Sequence, residues 1–171
     1  MDGIERALMY AYRAHRGQVR KYTGEPYITH PISVCAIVES VEHDESMLMA
    51  ALLHDVVEDT AITLDEIAAN FGNDVACHVE DLTDVSTPSD GNRKIRKDMD
   101  RAHTSHASND AKTIKLADLI HNSSSITQYD TDFAAIYMKE KKSLLEVLIG
   151  GNRELHSRAC KIVEDYYFNR G

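Results

Sequence analysis

Residues 47–57 read MLMAALLHDVV, an almost wholly apolar stretch that turns polar only at His54 and Asp55. A helix that is hydrophobic on all sides is buried, so the rest of the chain has to be arranged around this one. The stretch is too short to cross a bilayer, which takes about 20 apolar residues. Elsewhere the pattern is again helical. Ile4, Ala7, Leu8, Ala11 and Ala14 fall at the i, i+3, i+4, i+7 spacing of an amphipathic helix. Convincing period-two alternation, internal repeats and linkers are absent from the sequence. The expectation is an all-α bundle of eight or nine helices forming one domain over residues 1–171.

Local signals set the boundaries. Residues 17–29 carry Gly, Pro and polar side chains and read as a loop, and Pro31 suits the first position of the next helix. Thr63-x-x-Glu66 is a capping box, and Gly72 is a natural stop. STPSDGN at 86–92 is the clearest interior break, followed by a charged segment over 92–103. Ile114, Leu116, Ala117 and Ile120 form an apolar stripe over 110–126, and Gly150-Gly151 separates two last helices at 133–149 and 152–168.

The net charge of −9 disfavours nucleic acid and anionic membranes as partners, because binding to either needs Lys and Arg to neutralise phosphates. A local exception lies between Glu5 and Glu25, where Arg6, Arg13, Arg16, Arg20 and Lys21 meet no acidic residue. Such a patch suits a small polyanion, although a solvated helix face has the same composition. Cys35, Cys77 and Cys160 are too scattered for a disulfide framework and read as small buried hydrophobes. The N-terminus lacks the basic start and apolar stretch of a secretory signal, so an intracellular, cytoplasmic location is expected.

The chemistry concentrates in LLHDVVEDT at 52–60, which places His54, Asp55, Glu58 and Asp59 in the most hydrophobic helix. On a helix, Glu58 lies one turn from His54 and from Asp55. Burying such groups without partners costs several kcal/mol, roughly. A divalent cation would compensate them, and so would a buried ion-pair network. His30 precedes Pro31 at a helix start, and Asp118 interrupts the apolar run IKLADLIHN. Singly, each has an ordinary structural explanation. Together, His30, His54, Asp55 and Asp118 supply two nitrogens and two oxygens from three separate helices.

The order His…His-Asp…Asp resembles the signature of the HD phosphohydrolase superfamily. TGEPYITHP at 23–31, AALLHDVVEDT at 50–60, Phe71-Gly72 and KLADLIHN at 115–122 resemble, more narrowly, the hydrolase domain of the RelA/SpoT stringent-response family. The small size is most similar to the stand-alone small alarmone hydrolases, including the metazoan SpoT homologue. The resemblance implies an HD-domain helical bundle and a Mn²⁺ ion held by His30, His54, Asp55 and Asp118. A ligand set of imidazoles and carboxylates is equally compatible with Fe²⁺ or Zn²⁺. It further implies that Glu58 and Asp59 position or deprotonate the attacking water, that Asn122 lines the ribose and phosphate region, and that Arg20 and Lys21 flank the purine. The implied reaction is hydrolysis of the 3′-pyrophosphate of (p)ppGpp to GDP or GTP, without the synthetase activity of the longer family members. Another phosphorylated nucleotide such as NADPH, or a nucleotide-binding regulator without turnover, are the alternatives.

Arg93, Lys94, Arg96, Lys97, Lys112 and Lys115 are further candidates to neutralise substrate phosphates, or form a solvated face. His121, three residues after Asp118, is placed to face the pocket. His43, His78, His103, His106 and His156 are expected to have no metal role. Many family members carry a basic residue where this chain has Leu119, which reads as a peripheral or surface position. Tyr166-Tyr167-Phe168 reads as packing of the last helix.

Overall fold

The structure, a computed structural model, describes residues 2–169. Its helices are α1 (Gly3–Ala14), α2 (Thr29–Glu39), α3 (Glu45–Leu53), α4 (Val56–Asp59), α5 (Leu64–Phe71), α6 (Asn73–Leu82), α7 (Arg93–Ser105), α8 (Asn109–Tyr129), α9 (Thr131–Leu145) and α10 (Arg153–Phe168). A single 3₁₀ turn, Pro88–Asp90, marks the STPSDGN break. Extended pairing among the described residues is limited to one bridge, Val19 to Pro26. Counting α3 and α4 as one interrupted helix gives nine among the described residues, within the eight or nine that the periodicity predicts.

The apolar segment is the centre. Met47, Leu48, Ala50, Ala51, Leu52 and Leu53 of α3 are all buried, and α3 packs against α1, α2, α6 and α8. The continuous helix expected over 47–57 is broken, however. Its hydrogen-bond ladder lapses at His54 and Asp55, which keep right-handed dihedrals (φ −59° and −95°), and resumes with Asp59 N donating to Asp55 O at 2.9 Å. Adjacent residues of an unbroken helix diverge by 100°. Past the break, His54 and Asp55 aim at one point.

α8 is the second spine. Its residues Ile114, Leu116, Ala117, Leu119 and Ile120 are buried against α2, α3, α6, α9 and α10. Leu119 therefore faces the core at 1% exposure rather than the surface. In this chain the position is filled by an apolar side chain packed into the core.

Punctuation behaves as its chemistry dictates. Thr63 and Glu66 form the reciprocal capping box, and Gly72 adopts φ +93°, a conformation costly for other residues, between α5 and α6. Pro31 sits third in α2 rather than first, still within the first turn, where backbone N–H groups lack intrahelical acceptors. Two further expectations are corrected. All three cysteines are free, but none is fully buried and Cys77 is exposed, because it sits on the outer face of α6. Of the terminal aromatics only Tyr166 packs against the core, while Tyr167 and Phe168 are 44% and 86% exposed.

Candidate metal centre and its cavity

Three elements deliver four side chains to one point. His30 comes from the first turn of α2, His54 and Asp55 from the break after α3, and Asp118 from the middle of α8. Ligand atoms of His30, His54 and Asp55 lie within 4.8 Å of one another. His30 Nε2 is 3.1 Å from Asp118 Oδ1 and 3.5 Å from Asp55 Oδ2, and His54 Nε2 is 3.1 Å from Asp55 Oδ2 and 3.8 Å from Asp118 Oδ1. Donors that share an ion at about 2.1 Å sit about 3.0 Å apart in cis octahedral and about 3.4 Å in tetrahedral arrangement. The observed spacings fall around those values.

Each imidazole is oriented by its other nitrogen. His54 Nδ1 meets the Ala51 carbonyl at 2.8 Å, so it carries the proton and turns Nε2 inward. That Nε2 is buried and makes no hydrogen bond. A lone pair facing a carboxylate oxygen at 3.1 Å requires positive charge between them. Burial lowers the His54 pKa, but Asp55 and Asp118 outweigh it and hold it well above the ordinary value. A proton would satisfy that demand, but the orphaned nitrogen lacks hydrogen-bonding geometry. The donor set, two imidazoles and two carboxylates without a thiolate, fits a divalent cation. His30 Nδ1 contacts His121 Nδ1 at 2.7 Å. Burial, then the charges of His30 and Arg20, push His121 down to about 4. It is neutral at pH 7 and offers a lone pair to the His30 N–H.

The carboxylates are supported as well. Tyr27, one turn before His30, donates its hydroxyl to Asp55 Oδ2 at 2.7 Å, and burial followed by the Asp55 charge raises its own pKa. Asn122 Nδ2 donates to Asp118 Oδ1 at 2.6 Å, and its Oδ1 accepts from Arg20 Nη2 at 2.7 Å. The Arg20 guanidinium also lies 5.7 Å from the Tyr27 ring centre. Arg20 and Asn122 are thus joined to the centre. Lys21 stands apart, exposed and 3.7 Å from Asp130.

The centre opens into a cavity of about 790 Å³ that Asp55, Asp118, Glu58 and Asn122 help to line. Glu58 accepts from the Asp84 backbone N–H at 3.2 Å. Desolvation by the surrounding protein, and then the Asp84 charge, raise its pKa. Asp59 is raised by the same desolvation and by Asp55, but lies outside the cavity wall. The wall carries seven basic side chains interleaved with seven carboxylates. α7 contributes Arg93, Lys94, Lys97 and Arg101, α8 contributes Lys115, and α9 contributes Lys139 and Lys141. Arg96 lines a smaller adjoining cavity, and Lys112 is absorbed by the Ser105 carbonyl. His43, His78, His103, His106 and His156, and likewise His15, lie outside the cluster.

A family model described as HD domain matches residues 7–143. The chain belongs to the HD-domain family. Among curated relatives, this HD domain is 37% identical to the mouse guanosine-3′,5′-bis(diphosphate) 3′-pyrophosphohydrolase MESH1 over 164 residues, covering 91% of this chain and 90% of that one. The Xenopus tropicalis counterpart is 42% identical over 122 residues, 70% of this chain and 66% of the relative. A Streptomyces coelicolor GTP pyrophosphokinase is 40% identical over 120 residues; the match covers 70% of this HD domain but 14% of that protein. A solved structure described as a metazoan ortholog of SpoT that hydrolyses ppGpp superposes with a TM-score of 0.86 at 33% identity, covering 97% and 96% of the two chains.

Tyr27, Asp84, Arg101, Lys139 and Lys141 join the site without a sequence motif that marks them as site residues. Tyr27 was legible as the residue one helical turn before His30. Lys139 and Lys141 belong to the run KEKK, which reads as a solvated face unless the partner helices are known.

Proposed function

We propose that this HD domain hydrolyses guanosine 3′,5′-bis(diphosphate), and its 5′-triphosphate form, at the 3′ position, giving GDP or GTP and pyrophosphate. The observation that carries the reading is a two-imidazole, two-carboxylate centre opening onto a cavity where seven of the 19 Lys and Arg side chains gather, in a chain whose overall net charge is −9. Such a site suits a compact polyanion. The MESH1 relatives and the SpoT-ortholog structure give the nucleotide its identity.

In this reading His30, His54, Asp55 and Asp118 hold Mn²⁺, with Fe²⁺ and Zn²⁺ as other ions compatible with the donors. The bound cation supplies Lewis acidity and makes water a competent nucleophile at neutral pH. Attack on the phosphorus next to the ribose breaks its bond to O3′, which leaves and takes up a proton. Glu58, with a raised pKa and an open path to the cavity, accepts the proton of the attacking water. Asp59 supports it from the flanking turn. Arg20 and Asn122, hydrogen-bonded to each other, hold the nucleoside, the guanidinium offering its plane to the purine; Lys21, turned to Asp130, would have to leave that partner to add charge beside the substrate. The basic wall holds the phosphates in line, the main task of a protein in phosphoryl transfer. No described helix is long and apolar enough to cross a membrane; a cytoplasmic location is part of this proposal and rests on the nucleotide nature of the substrate.

The test is product analysis with purified, Mn²⁺-loaded protein and ppGpp. GDP and pyrophosphate in equal amounts support the assignment. Release of inorganic phosphate, or turnover of NADPH in preference to ppGpp, overturns it.

A further inference from the structure

The basic groups of the cavity wall fall into two sets. Arg93 is clamped by Glu140 at 2.7 and 2.9 Å, Lys94 by Asp98 at 2.6 Å, and Lys97 by Asp84 at 2.6 Å and Asp100 at 3.3 Å. Arg101 reaches Asp98 at 3.4 Å, and Lys115 lies 3.9 Å from Asp84. An approaching anion meets each of these as a pair already close to neutral. Lys139 and Lys141 of α9 differ: no carboxylate among the described residues stands within ion-pair distance of either, and Lys139 is exposed.

Lys141 is part-buried, and its ammonium sits 4.8 Å from the centre of the Tyr137 ring, a weaker stabiliser than a carboxylate. Asp118 and Lys115 from α8, Lys97 from α7 and Asp84 after α6 are the charges around it. We infer that Lys141 is the specificity-determining cation of the cavity, receiving through its ammonium a substrate phosphate that the metal centre does not hold. An unpaired, partly desolvated ammonium is costly to maintain and is compensated when a phosphate arrives. Burial, with Lys115 and Lys97 beside it, pushes its pKa down to about 8 against the pull of Asp118 and Asp84, the state expected of a cation awaiting its counter-ion. The neighbouring lysines and arginines are held by their own carboxylates, while Lys141 distinguishes a substrate with a second phosphate from one without.

The inference rests on the polyphosphorylated-nucleotide reading, and the experiment separates the two. Steady-state kinetics of metal-loaded wild type, Lys141→Met and Lys141→Arg are measured with ppGpp, with guanosine 3′-diphosphate lacking 5′ phosphates, and with guanosine 5′-diphosphate 3′-monophosphate. Calorimetric titration of the same proteins with inorganic pyrophosphate gives a readout independent of turnover. Lys141→Met should raise KM for ppGpp by about tenfold or more, the loss expected for one charge-assisted contact, with kcat changed far less, and Lys141→Arg should recover most of it. The penalty disappears with the substrate lacking 5′ phosphates if the contact is to the 5′ side, and with the 3′-monophosphate if it is to the distal 3′ phosphate; either result supports the assignment. A penalty equal on all three substrates overturns it, as does a Lys141→Met enzyme that loses kcat alone. If wild type does not turn over ppGpp, the alarmone reading fails on its own. Pyrophosphate affinity then decides: about tenfold weaker binding in Lys141→Met sustains the role of Lys141, and unchanged affinity removes it.

Discussion

His121 Nδ1 lies 2.7 Å from His30 Nδ1, and this contact decides which nitrogen of His30 faces the metal centre. His121→Ala removes the acceptor and frees the His30 ring to turn. Outer partners of this kind are worth about 10- to 100-fold in metal affinity. Equilibrium dialysis against Mn²⁺ should show such a drop with helical content intact; wild-type affinity would mean that packing alone fixes the ring.

Removing a donor outright has a larger effect. His54→Ala and Asp55→Ala should each abolish metal binding and turnover while the circular dichroism of the bundle is kept, because both side chains sit at the break after α3 rather than within its packed face. Activity surviving in a variant shown to be metal-free would refute the centre as the site of catalysis.

Asp84 couples the proposed base to the basic wall. Its backbone N–H binds Glu58, and its carboxylate holds Lys97 and raises the Glu58 pKa, second only to desolvation. Asp84→Asn keeps the backbone bond and removes the charge. Glu58 then titrates lower, stays deprotonated in more acidic solution, and the acid limb of the kcat profile shifts to lower pH. A limb that stays in place, or moves up, assigns it to another group.

Lys141 has a measurable cost in stability. Its folded pKa of about 8 lies below the ordinary 10.5, so between these values the unfolded chain binds more protons and stability rises with pH. Below about pH 8 the full penalty is present. Lys141→Met should therefore be more stable at pH 7, by about 2 kcal/mol once partial access to water is allowed for. The difference from wild type should shrink as pH rises from 8 to 10.5. Thermal melts across that range that show a constant gap would exclude the titration of Lys141 as its cause.

Gly151 tests the seam between α8 and the last helix. A Cβ there would meet the Lys112 carbonyl carbon and the Thr113 nitrogen at 3.0 Å, and Leu116 Cδ1 at 2.9 Å. Backbone atoms yield little, so Gly151→Ala should cost about 1–3 kcal/mol in urea unfolding. Gly17→Ala meets nothing within 4 Å but must adopt φ +85°, so any loss there comes from backbone conformation alone. Equal stability of Gly151→Ala and wild type would show that α10 slides freely on α8.

Which residues can bear the chemistry was readable before any fold was known. Charged and imidazole groups in apolar helical runs demand compensation wherever the runs are placed, so His54, Asp55 and Asp118 stood out on physical grounds, and the wording around His30 tied them to the HD family. The capping box at Thr63 and the stop at Gly72 were legible for a related reason: a cap satisfies its own backbone within four residues.

The sequence alone determined the helical class, the buried centre and the inventory of ligands, because periodicity and burial are properties of a segment. Only the tertiary structure decided the break at His54–Asp55, the inward face of Leu119, the turning of Lys21 toward Asp130 and the lack, among the described residues, of a carboxylate within ion-pair distance of Lys141. These depend on which side chains from distant helices arrive at the same place. Lys97 and Lys141 come from equally charged runs, yet one meets Asp84 and the other does not. Coulomb interactions act over a few ångströms of space, and that spacing comes into being only when α7, α8 and α9 close around the cavity.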